Sequence, residues 1–358
     1  MTTAAVPERH RLRRVLLMLS VPAVVLILMV ANVTTAQSAV HHARSQHGST
    51  ATVRRANQPP WAPVLGVYAG PGEVAGAKSF DVQARGPVPY ALDFIESSSW
   101  SSISDPRWTL KQWKDSKFHM IFGVPMLPTQ GATLAAGSMG AYNAHFEALA
   151  TALVAAGDGN AVLMIGWDPL QAGTSWQVTN KTEATEYVRY WRDIAETMHG
   201  VSGANFLFEW DGGTPASLLA TPSVYPGDAV VNLIATNVFD QVTTPSTMSR
   251  WNAVSSGDDG ADWFAQFALE HRKPLVIGEW GLVPASTSGG GGDDVAFVKA
   301  LLSWSKANHV AMLVTWDYGT WDITSGSFSG GNAALDAQKN TGGSSSAVRA
   351  LEGQQPGT

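Results

Sequence analysis

From Pro63 to Asp317 short apolar runs alternate with longer segments in which apolar and polar positions interleave. Eight runs read as strands: VLGVYAG (64–70), YALDFIE (90–96), HMIFGVPML (119–127), AVLMIGWD (161–168), NFLFEWD (205–211), VVNLIATNVF (230–239), PLVIGEWG (274–281) and VAMLVTWD (310–317). They are continuous rather than alternating, as strands buried on both faces of a parallel sheet are. Four intervening segments carry apolar residues at i, i+3, i+4 and i+7 and are predicted to be helices, at 139–157, 183–200, 261–272 and 293–309. Strand followed by crossover, eight times over, predicts an α/β fold of the (β/α)8 TIM-barrel type. The competing arrangement is a doubly wound open sheet, which needs a nucleotide-type glycine loop after its first strand. GVYAGPGEVAG lacks G-x-G-x-x-G and leads into no convincing helix.

Outside the barrel pattern, the amino-terminal stretch RHRLRRVLLMLSVPAVVLILMVA places basic residues before an uncharged run of 17 residues, Val15 to Ala31. That length lies above most signal-peptide cores and at the lower limit for a spanning helix. Small residues follow, so cleavage after Ala36 or Ala39 and retention as an anchor both stay open. Arginines before the run and none just after it place the amino terminus in the cytoplasm. Either outcome predicts an extracytoplasmic body, secreted or anchored in the membrane by the N-terminal helix. The expected organisation is 1–36 basic stretch with signal peptide or anchor, 37–60 flexible linker, 61–340 barrel and 341–358 disordered tail.

Charge and composition narrow the chemistry. Arg9, Arg11, Arg13 and Arg14 against Glu8 give residues 1–39 a balance of +3, leaving −9 for the rest of a chain whose net charge is −6. An acidic body argues against nucleic acid as a partner. There is no cysteine, so no disulfide framework and no thiolate metal site. The nine histidines are scattered, and neither a metal nor another cofactor is expected. The chain is expected to act as a monomer. Fourteen tryptophans exceed what an ordinary core needs, so some are expected in a cleft where flat rings stack on ligands.

Tryptophan and carboxylate recur together where strands end: Trp167-Asp168, Glu209-Trp210-Asp211, Glu279-Trp280 and Trp316-Asp317. In a barrel those ends converge on the face that carries catalysis. Singly, each carboxylate reads as readily as a cap or a neutralised charge. Repeated on four strands, the combination matches glycosidic bond cleavage. Sugar C–H faces stack on indole, one acid protonates the leaving oxygen, and a carboxylate meets the oxocarbenium-like centre.

AVLMIGWDPLQAGTSWQV, FLFEWDGG, YPGDAVVNLIATNVFD, KPLVIGEWGL and GGDDVAFV, in that order, resemble glycoside hydrolase family 26, best known for β-mannanases. The similarity spans roughly residues 61–320. It implies a retaining two-carboxylate mechanism on a β-linked polysaccharide, mannan-type favoured. The nucleophile would be Glu279 on strand seven, and the acid/base would be Asp168 on strand four. Three positions depart from the family pattern. Asp168 stands where the family has Glu, with about 1.5 Å less reach; retaining pairs stand roughly 5–5.5 Å apart and inverting pairs roughly 6.5–9.5 Å. Phe239 replaces a tyrosine whose hydroxyl contacts the nucleophile, and Gln171 is the nearest match to an asparagine after the acid. Trp167, Trp210, Trp280 and Trp316 are the expected sugar platforms. Asp211 or Glu209 is a substitute acid, with strand alternation expected to point only one of them inward. Asp93 reads equally as structural or ligand-contacting, and GGGGDD (289–294) as a flexible loop ending at a helix N-cap. A catalytically impaired carbohydrate-binding protein, assisting surface polysaccharide assembly, is the reading from another class.

Overall fold

All eight runs form strands, and each pairs in parallel with the next. They are β1 (Val64–Tyr68), β2 (Tyr90–Phe94), β3 (His119–Val124), β4 (Val162–Ile165), β5 (Leu207–Asp211), β6 (Leu233–Phe239), β7 (Leu275–Gly281) and β8 (Met312–Trp316). The sheet closes on itself in the order β1 to β8, with β8 paired back to β1 from Val64↔Met312 to Tyr68↔Trp316. This is a (β/α)8 barrel. The computed structural model describes residues 61–83, 88–213, 219–243, 248–257, 259–324, 326–339 and 345–354. The amino-terminal signal or anchor and the linker expected up to residue 60 lie outside the described residues.

Alternation along the strands divides two cores. Leu207, Leu233, Ala235 and Val276 point into the barrel with Val162 and Met164, while Phe208, Trp210, Ile234, Val238 and Ile277 face the surrounding helices. The four predicted helices are present at Asn143–Ala156, Lys181–His199, Ala261–His271 and Val295–Ala307. The GGGGDD segment ends as expected, with Asp294 capping the last of these by accepting from Phe297 N at 2.9 Å.

Two elements differ from the sequence reading. Val74–Gln83 is a helix after β1. Its buried contacts come from Ala77 and Phe80, too few and too small among glycines to show a periodicity. Within the tail expected to be disordered, Ser345–Glu352 is also a helix. Ala347 and Leu351, one turn apart, are buried against Val64, Val162 and Leu207 at the amino-terminal mouth of the barrel. The serines and glycines before it hide a pair of apolar residues whose partners lie far back in the chain, Val64 among them.

The helix Lys181–His199 fixes the strand end that matters most. Asn180 caps it, accepting from Thr182 N and Glu183 N at 3.0 Å each. From its buried face Trp191 Nε1 donates to Ile165 O at 2.9 Å, Tyr187 Oη to Gly166 O at 2.8 Å and Tyr190 Oη to Met126 O at 2.7 Å. Three side chains of one helix thus pin the carbonyls at the carboxyl ends of β3 and β4, just before Trp167 and Asp168.

Candidate active site

Beyond β4 the backbone turns through two left-handed residues, Gly166 (φ 55°) and Asp168 (φ 50°). Glycine takes that conformation freely. For Asp168, followed by Pro169, it stores strain of about 1–3 kcal/mol, which surrounding contacts must hold. Those contacts are present. Asp168 Oδ1 accepts from Gln171 Nε2 at 3.0 Å and from Asn237 Nδ2 at 3.2 Å. The same Asn237 amide donates to Asp211 Oδ2 at 2.9 Å, and Gly213 N donates to Asp211 Oδ1 at 2.7 Å. One asparagine on β6 therefore ties β4 to β5.

Glu279 reaches the same place through a defect in the sheet. Val276 points inward and Ile277 outward, so strict alternation would send Glu279 to the helices. Between β6 and β7 the pairing jumps from Thr236↔Ile277 to Asn237↔Glu279, and against β8 the register slips over the same residues. The bulge advances the phase by one, turning Glu279 in and Trp280 out. Gly278 occupies the extra position. A Cβ there would lie 3.3 Å from both Asn237 Oδ1 and Glu209 Oε1, tighter than ordinary contact.

Glu209 and Asp211 both point inward. Residues two apart on a strand share a face, so the expectation that only one would do so is corrected; Trp210 between them is the residue that points away. Four carboxyl groups, on Asp168, Glu209, Asp211 and Glu279, thus gather at the carboxyl-terminal end of the barrel. Burial is the main reason each is harder to ionise. It raises Asp168 to about 6. Glu209 goes to about 8, with Asp211 adding repulsion, and Asp211 to about 7, with Asp168 adding repulsion. Glu279 is raised well above its ordinary value by burial and then by Asp168, Asp211 and Glu209. Among the described residues no group donates a hydrogen bond to Glu279. Phe239, in the position where a hydroxyl was sought, supplies only a ring.

Asp168, Gln171, Asn237, Phe239 and Glu279 line one cleft of about 720 Å3, and its described lining holds no lysine, arginine or histidine. An aromatic belt runs round the same rim. Trp167 meets Phe94 (ring centres 4.9 Å apart), Phe94 meets Tyr68 (5.3 Å), Tyr68 meets Trp316 (4.3 Å), Trp316 meets Phe239 (6.3 Å) and Phe239 meets Trp321 (5.0 Å). Trp167 and Trp316 are half-buried there. Trp210 and Trp280, expected as platforms, are fully buried in the outer core. Trp210 packs on Tyr225 and Phe267 of the helical layer. Asp93 is structural, its Oδ2 accepting from Gly72 N at 2.9 Å and Trp113 Nε1 at 2.6 Å on the outside of β2. Asp317 anchors the loop after β8, accepting from Thr324 N at 3.1 Å. Asn237, Tyr68, Phe94 and Trp321 were not singled out from the sequence. Asn237 carried a usable signal: it is polar, near a strand end, and in phase with the inward Leu233 and Ala235.

This architecture occurs in solved structures. A modular endo-β-1,4-mannanase of glycoside hydrolase family 26 from Cellulomonas fimi superposes with a TM-score of 0.58 at 16% identity, covering 81% of this chain and 73% of that one. The fold is that of glycoside hydrolase family 26. The Bacillus subtilis mannanase matches with a TM-score of 0.55 at 13% identity, over 78% of this chain and 85% of that one. A GH26 protein from Muricauda gives 0.56 at 12% identity, over 78% and 86%. At these identities the likeness is one of fold. No family model matches the sequence, and no curated protein does. Among the described residues no group of three or more histidine or acidic side chains is arranged to hold a metal ion.

Proposed function

We propose that this chain is a family 26-type glycoside hydrolase acting on a neutral β-linked polysaccharide, mannan-type favoured. The observation that carries it is the cluster of four inward carboxyls at the carboxyl-terminal rim of a closed barrel, walled by aromatic rings. A cleft with no basic side chain in its described lining does not suit uronate or sulfated chains; it suits a neutral one. Glu279 is the nucleophile, attacking the anomeric carbon. Asp168 is the acid that protonates the departing glycosidic oxygen and then the base that activates water. Asn237 and Gln171 orient Asp168. Trp167 and Trp316 hold the sugar faces.

The productive form needs Glu279 ionised and Asp168 protonated. Burial raises both carboxyls, and among the described residues no hydrogen-bond donor favours the Glu279 anion. This favours, as a second reading, a carbohydrate-binding protein with impaired hydrolysis. Purified full chain offered β-mannan, mixed-linkage glucan and β-xylan separates the two. Release of reducing ends, lost in Glu279→Ala and with the β-anomer formed first by proton NMR, supports a retaining hydrolase. Retention of polymer without release supports the binding reading. Retention of none refutes both.

The amino-terminal basic stretch and uncharged run support placing the barrel outside the cytoplasm, secreted or anchored. Fractionation of the full chain against residues 45–358 tests this; a full chain that stays in the cytosol refutes export.

A further inference from the structure

Trp108 is 56% exposed, yet it is rigidly mounted. It stands in the first turn of the helix Arg107–Trp113 and seats on the loop after β1, where Gly72 is left-handed (φ 67°) and a Cβ would lie 2.6 Å from the indole Cη2. Only glycine lets the ring approach there. Asp93 Oδ2 takes both Gly72 N of that loop and Trp113 Nε1 of that helix. One buried carboxylate thus fixes both supports of the indole.

Between Trp108 and Trp167 lies a groove of about 850 Å3, which Phe94 and Glu96 also line. Clefts of roughly 300–1,000 Å3 are the usual size for bound ligands. Trp167 lines this groove and its chain neighbour Asp168 lines the carboxylate cleft, so the two lie side by side on the same rim. Glu96 lines the groove beside the aromatic surface, and its neighbours Ser98 and Ser102 hold its carboxylate below the ordinary value. An indole face, a phenyl ring and a carboxylate complement a pyranose: its C–H face stacks and its hydroxyls donate.

We infer that this groove is a distal sugar subsite, with Trp108 the stacking platform and Glu96 the hydroxyl acceptor for the part of a glycan chain extending beyond the carboxylates. The inference rests on the glycoside reading of the cleft. It adds that the protein grips long chains, so affinity increases with chain length.

The test uses full chain carrying Glu279→Ala, so that binding is read without turnover. Isothermal titration with β-1,4-linked manno-, gluco- and xylo-oligosaccharides of two to six units gives affinity against length. Trp108→Ala is expected to weaken the hexasaccharide roughly 2- to 10-fold and the disaccharide markedly less, while Trp108→Phe retains most of the affinity. An unchanged melting temperature excludes loss of fold. Equal loss at every length, or no loss at the longest, overturns the distal subsite while leaving the carboxylate cleft standing. Failure of every series to bind the parent overturns the cleft reading and the subsite with it.

Discussion

Glu209→Gln isolates the stability that the carboxyl cluster consumes. Glu209 is 1% exposed, and its Oε2 has no hydrogen-bond partner among the described residues. Burial raises it from an ordinary 4.5 to about 8. In the unfolded chain it loses its proton near 4.5; in the native protein it keeps it until about 8. Across that window the native state binds more protons, so stability falls as pH rises. At pH 7 the gap is two and a half pH units. At about 1.4 kcal/mol each, that is a penalty of about 3 kcal/mol. Glutamine preserves shape and carries no titrating proton, so the penalty disappears. The variant should be more stable than the parent by about 3 kcal/mol at pH 7 and nearly equal to it at pH 4.5. For a domain of this size that corresponds to a rise in Tm of about 6 °C at pH 7. Urea unfolding followed by tryptophan fluorescence at both pH values reads the difference. A stability difference that is the same at pH 4.5 and pH 7 would mean that Glu209 ionises alike in both states, and would refute the argument.

Asp168→Asn should slow polysaccharide hydrolysis about 10²–10⁴-fold and aryl glycosides with good leaving groups far less; an equal loss on both substrates, or none, moves the acid elsewhere, with Asp211 next to be tried. In the same kinetics Asp168→Glu decides whether the shorter side chain is a defect, where rate rises, or an adapted fit, where it falls. Phe239→Tyr offers Glu279 a hydroxyl donor, which stabilises its anion and lowers its pKa. The acidic limb of the pH–rate profile should move to lower pH and kcat should rise, whereas an unmoved limb would show that the hydroxyl does not reach Glu279. Leu351→Ala removes a side chain 2% exposed at the closed mouth and should cost about 2–4 kcal/mol in urea unfolding; a loss below about 0.5 kcal/mol would mean the terminal helix does not seal the barrel.

The eight strands, the barrel and the rim position of Asp168 and Glu279 were legible in the sequence, because each is written in local patterning. A buried parallel strand must be apolar throughout, and a strand that stops at Trp-Asp or Glu-Trp must place those residues on a rim. The helix after β1 and the one closing the barrel floor escaped, since a few small buried residues among glycine and serine leave no period to read. Side-chain direction at the site belonged to the tertiary structure alone. Parity along an ideal β7 would point Glu279 at the helices. The bulge at Gly278, visible only as a register jump against β6 and β8, turns it inward and sends Trp280 out. Asn237 joins Asp168 and Asp211 because three strands meet there, a contact between residues 69 and 26 positions apart. Local sequence fixes where a strand begins and ends. Which face a bulged residue shows, and which distant polar group it meets, is settled only when the sheet closes.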